Sequence, residues 1–255
     1  VSSAGFWTLT RVADTLRSLE VVPSPRGPAA LSHVSTDTRT IAKGDLFVAL
    51  AGENFDGHNF LGQAVAAGAA AVVITDPRRG AGLGVPVFSV TNTTHALGAL
   101  GRYRRTAWAK PVVAVGGSNG KTSTKELIRA ALDARLDVHA TQGNLNNQIG
   151  VPQTLLALPD HADVAVVEVG TNEPGEIAIL RQIVAPTIAI VTAIQEEHLE
   201  GFGDLAGVLR EEADLLDGAE LAIVPAHETA LIAEARRRAR RVVTVGIGEG
   251  DLTAQ

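Results

Sequence analysis

The 255-residue chain is 45% hydrophobic, carries a formal charge of -6 and contains no cysteine. Its length and apolar content sustain one large domain or two modest ones. The acidic balance leaves no global footprint for nucleic acid, and the lack of cysteine excludes disulfides and thiolate metal sites.

The opening stretch VSSAGFWTLT has no initiator methionine and lacks the basic flank and apolar run of a signal peptide, so the chain reads as processed, tagged or partial. No run of residues is long and apolar enough to predict a membrane span. Residues 6–20 predict a short amphipathic helix with Leu9, Val12, Leu16 and Leu19 near one face. The turn-rich connector PSPRGP (23–28) follows. Short apolar runs at 46–50, 70–74 and 85–90 predict strands, with a helix over 59–67 stopped by Gly68. These make a small α/β domain. A helix over 94–109 leads to a second block.

In that block the apolar runs at 112–115, 164–169, 187–192, 221–224 and 242–245 alternate with helical stretches at 122–134, 176–183 and 205–216. Such alternation predicts a mostly parallel sheet with helices on both faces. The expected organisation is an N-terminal domain over 1–110 and a central domain over 111–255. The run of arginines within 236–241 reads as a solvated helix end.

Residues 116–124 read GGSNGKTST. The usual phosphate loop, G-x-x-x-x-G-K-[ST], begins on a glycine, and here that position is Val115. A strand, a glycine loop and a helix nonetheless place free backbone N–H groups at a helix N-terminus, which suits a bound phosphate. Gly117, Ser118, Asn119, Gly120, Lys121, Thr122 and Ser123 are the candidate nucleotide-binding residues. Lys121 can reach phosphate oxygens, and the Thr122 hydroxyl can ligate magnesium. The bland alternative is a glycine turn beside an exposed lysine.

A phosphate loop also needs an acid that holds a metal at a neighbouring strand end. DVAVVEVG supplies Glu168, which is either that acid or a surface acid closing a strand. EEHLEGFG (196–203) brings His198 to another strand end, as a metal or phosphate ligand or as a capping histidine. The histidines form no HExxH pattern, so a zinc hydrolase is unsupported. TQGNLNNQIGVPQTLL (141–156) is rich in amide side chains that are costly to bury without partners, and GTNEPGEI (170–177) is a second polar loop, where Pro174 and Gly175 precede a helix. They read as ligand loops or as ordinary capped loops.

Together these segments resemble the Mur ligases, the ATP-dependent amide ligases of peptidoglycan synthesis. The stretches that carry the resemblance are STDTR (35–39), GDLFVALAGENFDGHNF (44–60), GGSNGKTSTKE, GNLNNQIGVP, VVEVGTNEPGEI and HLEGFGDLAGV, in the order of the family. The branch they point to joins D-alanyl-D-alanine to UDP-N-acetylmuramoyl-tripeptide. The resemblance implies ATP and Mg2+ as cofactors, a cytoplasmic monomer and no nucleic-acid partner. It makes Lys121 the phosphate lysine, Thr122 and Glu168 magnesium ligands and His198 the ligand of a second metal. It puts Asn144 and Asn147 near nucleotide and substrate. Ser35, Thr36, Asp37, Arg39, Asn54, Asp56 and His58 fall in the region holding the UDP-sugar end.

Two departures stand out. Family members carry a lysine in the helix after HLEGFG whose carbamate helps to hold the second magnesium. Here DLAGVLREEAD puts Glu212 at that place, as a ready-made carboxylate at the metal site or as a solvent-facing acid. The chain also stops inside what reads as the central ATPase domain, without the third domain of the family. The alternatives to a ligase are therefore a non-catalytic relative or fragment that binds nucleotide or UDP-muramyl-peptide, or a ligase with another amine substrate.

Overall fold

The computed structural model describes residues 5–22, 24–52, 55–196 and 199–254. Asn54 and His198, two of the expected site residues, lie outside the described residues. The chain divides into two units, Val1–Arg104 and Arg105–Gln255.

In the first unit, β1 (Trp7–Thr8) leads directly into α1 (Leu9–Leu16). The Thr8 side chain accepts from the Arg11 amide and so caps the helix. Leu9, Val12, Ala13 and Leu16 are its buried residues, one face as expected, but the α-helix stops short of residue 20 and ends in a single 3-10 turn over Arg17–Leu19. β2 (Ala30–Leu31) pairs antiparallel with β1. The strands β3 (Val34–Ser35), β4 (Leu46–Val48), the hairpin β5 (Ala51–Gly52) and β6 (Phe55–Asp56), and α2 (Leu61–Ala67) follow. Then come β7 (Ala71–Ile74), β8 (Val87–Ser89) and α3 (Thr93–Trp108), whose last residues fall in the second unit. β3, β4, β7 and β8 form a four-stranded sheet in that order, parallel throughout. Phe47, Val72 and Ile74 of this sheet pack with Leu61 and Ala64 of α2 into one core.

The second unit runs β9 (Val112–Gly116), α4 (Lys121–Leu132), β10 (Val138–Ala140), α5 (Gly150–Leu156) and β11 (Val164–Glu168). It continues through α6 (Glu176–Val184), β12 (Ile188–Val191), α7 (Leu199–Phe202) and α8 (Leu205–Ala213). It ends with β13 (Leu221–Pro225), α9 (Thr229–Arg238), β14 (Val242–Ile247) and β15 (Leu252–Ala254). The sheet has seven strands in the order β10-β11-β9-β12-β13-β14-β15, all paired in parallel. β9 and β11 are buried at every residue. Their unbroken apolar runs are those of strands covered on both faces.

The topology positions the site. From β9 the chain crosses by α4 to β10 on one side, and from β11 it crosses by α6 to β12 on the other. The carboxyl ends of β9 and β11 therefore adjoin where the winding reverses, the place where open α/β sheets bind ligands. Part of the amide-rich segment 141–156 is not loop at all: residues from Gly150 onward form α5, buried at Gly150, Val151, Pro152, Thr154 and Leu155.

Candidate nucleotide site at the reversal of the sheet

The glycine loop leaves β9 and enters α4 within four residues. Gly117 has φ 112° and Gly120 has φ 81°, conformations that a side chain makes costly. At Gly117 a Cβ would also stand 2.5 Å from Thr192 Oγ1 and 2.7 Å from Thr192 N. The segment after β12 braces the loop from that side. The Ser118 amide donates to the Ala193 carbonyl at 2.9 Å, and the Ser118 hydroxyl donates to Gln195 O at 3.1 Å. Asn119 Nδ2 donates to Gln195 Oε1 at 2.6 Å, and Thr192 Oγ1 donates to Asn119 O at 2.5 Å.

α4 begins at Lys121, so the amides of Lys121, Thr122 and Ser123 precede the first helical acceptors and point outward from the N-terminus. Lys121 Nζ is folded back onto the carbonyl oxygens of Gly117 at 2.5 Å and Ser118 at 3.0 Å. A phosphate at the loop offers Nζ a charged acceptor in exchange for two neutral ones. Thr122 and Ser123 are exposed in the same turn. The lysine of the bland alternative is not fully exposed, and the glycine turn is braced by the segment after β12.

Glu168 ends β11 in register with Val115, one residue before the glycine loop. It is 2% exposed, which excludes a surface acid. Asn146 Nδ2 donates to Glu168 Oε1 at 2.9 Å, and the Glu168 amide donates to Thr141 Oγ1 at 2.9 Å. Oε2 is buried with no hydrogen-bond partner, although Lys125 Nζ stands 3.7 Å away. A buried carboxylate oxygen with open lone pairs beside a phosphate cradle fits a magnesium ion, whose ligands are hard oxygens. Thr122 offers a hydroxyl for the same purpose. Among the described residues no three His, Asp or Glu side chains converge on one point.

Glu212 is wholly buried on α8, so it is no solvent-facing acid. Its Oε2 accepts the Gly117 amide at 2.7 Å, committing that oxygen to the loop. The neighbouring Glu211 is also buried. It accepts from the Gly175 amide at 2.7 Å, the Ile177 amide at 2.9 Å and Thr171 Oγ1 at 3.3 Å. It therefore fixes the loop 170–177 and the start of α6.

The amide-rich loop divides its residues. Asn147 Oδ1 accepts from the Ile149 and Gly150 amides at 3.1 and 2.9 Å and so organises the entry to α5. Asn144 is exposed. Asn146, between them, is the residue that touches Glu168. Sequence reasoning passed over Asn146 and also Lys125, Thr141, Thr192 and Glu211. Lys125 carried one signal: it stands four residues after Lys121 and so on the same helix face.

In the first unit, Asp37 pairs with Arg39 at 2.6 Å, and the hydrogen bonds from Arg39 pull the Asp37 pKa down to about 2. Ser35 Oγ donates to Asp37 O at 3.1 Å. Asp56 pairs with Arg79 at 2.7 Å and with His58 Nδ1 at 2.6 Å, and its pKa is pulled down to about 2, chiefly by the Arg79 hydrogen bond. His58 Nε2 accepts the Thr75 amide at 3.0 Å, which leaves Nδ1 to donate to Asp56. His58 is buried with both nitrogens engaged, so it serves this region by holding Asp56 and offers no ring nitrogen to a ligand. Thr36 is half-buried beside the Asp37 turn.

A glycine loop at the reversal of a parallel sheet, with a buried acid at the next strand end, places the second unit in the α/β class with the arrangement of a P-loop fold. Residues 115–255 match the Mur ligase middle domain, and residues 30–105 match the Mur ligase family, catalytic domain. The chain belongs to the Mur ligase family. It is 40% identical, over 87% of its length, to half of the UDP-N-acetylmuramoyl-tripeptide--D-alanyl-D-alanine ligase of Synechocystis sp. (50% of that protein). Its fold is similar to the crystal structure of MurF from Acinetobacter baumannii, with TM-score 0.85 and 32% identity, covering 96% of this chain and 54% of that one. It is also similar to MurF ligase from Thermotoga maritima in complex with ADP, with TM-score 0.78 and 28% identity, covering 86% of this chain and 51% of that one. The chain spans about half the length of the relatives it matches.

Proposed function

We propose that this chain is the precursor- and nucleotide-binding part of a cytoplasmic ATP-dependent amide ligase of peptidoglycan synthesis. It joins D-alanyl-D-alanine to UDP-N-acetylmuramoyl-tripeptide. The observation that carries this reading is the pairing of the Lys121 loop with buried Glu168 at adjacent strand ends, in a chain similar to ligases named for that reaction. The similarity to an ADP complex supports the adenine nucleotide. The protein acts as a monomer. Among the described residues no helix is long and apolar enough to cross a membrane.

The chemistry asked of these residues is charge management. The carboxylate of the tripeptide attacks the γ-phosphorus of ATP, the bond to ADP breaks and an acyl phosphate forms. The free amine of D-alanyl-D-alanine then adds to the acyl carbon, loses a proton, and inorganic phosphate leaves as the C–O bond breaks. Lys121 swings from the Gly117 and Ser118 carbonyls to the phosphate oxygens, and the amides of the first turn of α4 hold the remainder of that charge. Thr122 and Glu168 would hold magnesium, which supplies further positive charge to the transferring phosphoryl group. Asn146 and Thr141 keep Glu168 in place, and Glu212 keeps the loop in shape. In the first unit, Ser35, Thr36, Asp37, Arg39, Asn54 and Asp56 hold the UDP-sugar end, with His58 and Arg79 fixing Asp56. Asn144, exposed at the tip of its loop, contacts nucleotide or substrate.

ADP binding measured calorimetrically on the wild-type chain and on Lys121→Met tests the nucleotide part. We expect binding that the substitution weakens at least about 100-fold. Equal affinity in the two proteins would remove the loop from the account.

A further inference from the structure

Lys125 lies in the second turn of α4 and is 1% exposed, where an ammonium group is costly unless it is paired. Its Nζ donates to the Thr141 carbonyl at 3.0 Å, meets Glu126 Oε1 at 3.0 Å and stands 3.7 Å from Glu168 Oε2. Glu126 has little need of it. That side chain is 46% exposed and is also paired with Arg129 at 2.8 Å. Glu168 is in the opposite situation. Its side chain is 3% exposed, Asn146 holds Oε1, and the cation placed against Oε2 is Lys125. At 3.7 Å the ammonium neutralises Oε2 without taking its lone pairs, and Thr141 ties the two groups together by accepting from Lys125 on its carbonyl and from the Glu168 amide on its hydroxyl.

We infer that Lys125 is a resident counter-cation for Glu168 that makes divalent-cation binding depend on the nucleotide. It balances the buried carboxylate when no metal is present. It also repels a divalent ion that approaches Oε2, so the ion is held firmly only when phosphate oxygens add their negative charge. Lys125 is thus a positioning and tuning residue, and it touches neither substrate nor reacting atoms. The inference rests on the reading of Glu168 as a metal ligand.

The test is Mn2+ binding to the whole chain without nucleotide, followed by electron paramagnetic resonance of the free ion. Lys125→Met removes the charge and keeps the length of the side chain, and we expect it to bind Mn2+ about tenfold more tightly than wild type. Lys125→Arg keeps the charge and should stay within about threefold of wild type. Adding ADP should tighten binding strongly in wild type and much less in Lys125→Met. Equal or weaker Mn2+ binding by Lys125→Met, with a native circular dichroism spectrum, overturns the inference. Should that variant fail to fold, Lys125→Gln, which can still donate to Thr141 O, decides by the same comparison. Glu168→Gln separates the two layers. If it binds Mn2+ like wild type, both the metal-ligand reading and the inference fall. If it loses the ion while Lys125→Met gains nothing, the inference alone falls.

Discussion

Glu212 Oε2 accepts the Gly117 amide at 2.7 Å, across 95 residues of sequence. A carboxylate in the last turn of α8 thereby holds the start of the glycine loop, and neither group is open to solvent. Removing the acceptor leaves a buried N–H unpaired, which costs about 1–3 kcal/mol. Glu212→Ala should therefore lower the melting temperature and loosen ADP binding together. Glu212→Gln keeps a carbonyl acceptor and should recover most of both. If Glu212→Gln instead keeps stability but loses its magnesium dependence, the carboxylate serves the metal more than the loop.

Gly117→Ala asks an ordinary residue to adopt φ 112° and to place a Cβ 2.5 Å from Thr192 Oγ1. Strain of this kind costs on the order of 1–3 kcal/mol. The neighbour cannot yield cheaply, because the Thr192 backbone N is at 2.7 Å. The expected result is a destabilised chain with little ADP binding. Unchanged binding would mean that the loop relaxes without cost.

His58 is spent inside the first unit, on Thr75 and Asp56. Replacing it with alanine removes the ring's part-buried hydrogen bonds to Asp56 and Thr75 and leaves a cavity, a loss of roughly 2–4 kcal/mol. Thermal melting should show this loss, and binding of the UDP-sugar precursor should weaken through Asp56. Wild-type stability in the alanine variant would return His58 to the list of direct ligand contacts.

The pair Asp56–Arg79 makes a prediction about pH. The Asp56 pKa is lowered from 3.8 to about 2 in the folded chain, so the pair contributes stability above the unfolded value. That contribution is lost as pH falls from 3.8 through about 2. The side chain is 35% exposed, so solvent screens the effect. Carbon-detected titration of Asp56 should give a midpoint near 2 in wild type. Arg79→Met should move it up toward 3.8, the ordinary value. An unmoved midpoint would show that His58 alone sets it.

Much of this was legible in the sequence, because the central strands announce themselves. VVAV, VAVV and the runs read at 187–192, 221–224 and 242–245 are apolar enough to be strands wherever they occur, and each overlaps an observed strand. β10 was not legible: three residues, half-buried at Val138 and His139, carry no apolar run. α5 was hidden behind the asparagines that organise its entry. At the site, Lys121 and Glu168 were readable from the strand, glycine loop and strand-end acid, whereas Glu212 came only from the resemblance to the family. The buried character of Glu211 and Lys125 was not, since single acids and lysines in a polar helix look solvated until a neighbouring element covers them. Asn146 and Asn147 look alike in sequence. Only the register of β11 decides that Asn146 meets the carboxylate.

The most direct test of the central claim is ADP release from ATP and magnesium, assayed with UDP-N-acetylmuramoyl-tripeptide, with D-alanyl-D-alanine and with both, on the wild-type protein and on Lys121→Met. We expect release that needs both substrates and falls at least about 100-fold in Lys121→Met. ADP release indifferent to the two substrates, or undiminished by the substitution, would contradict it.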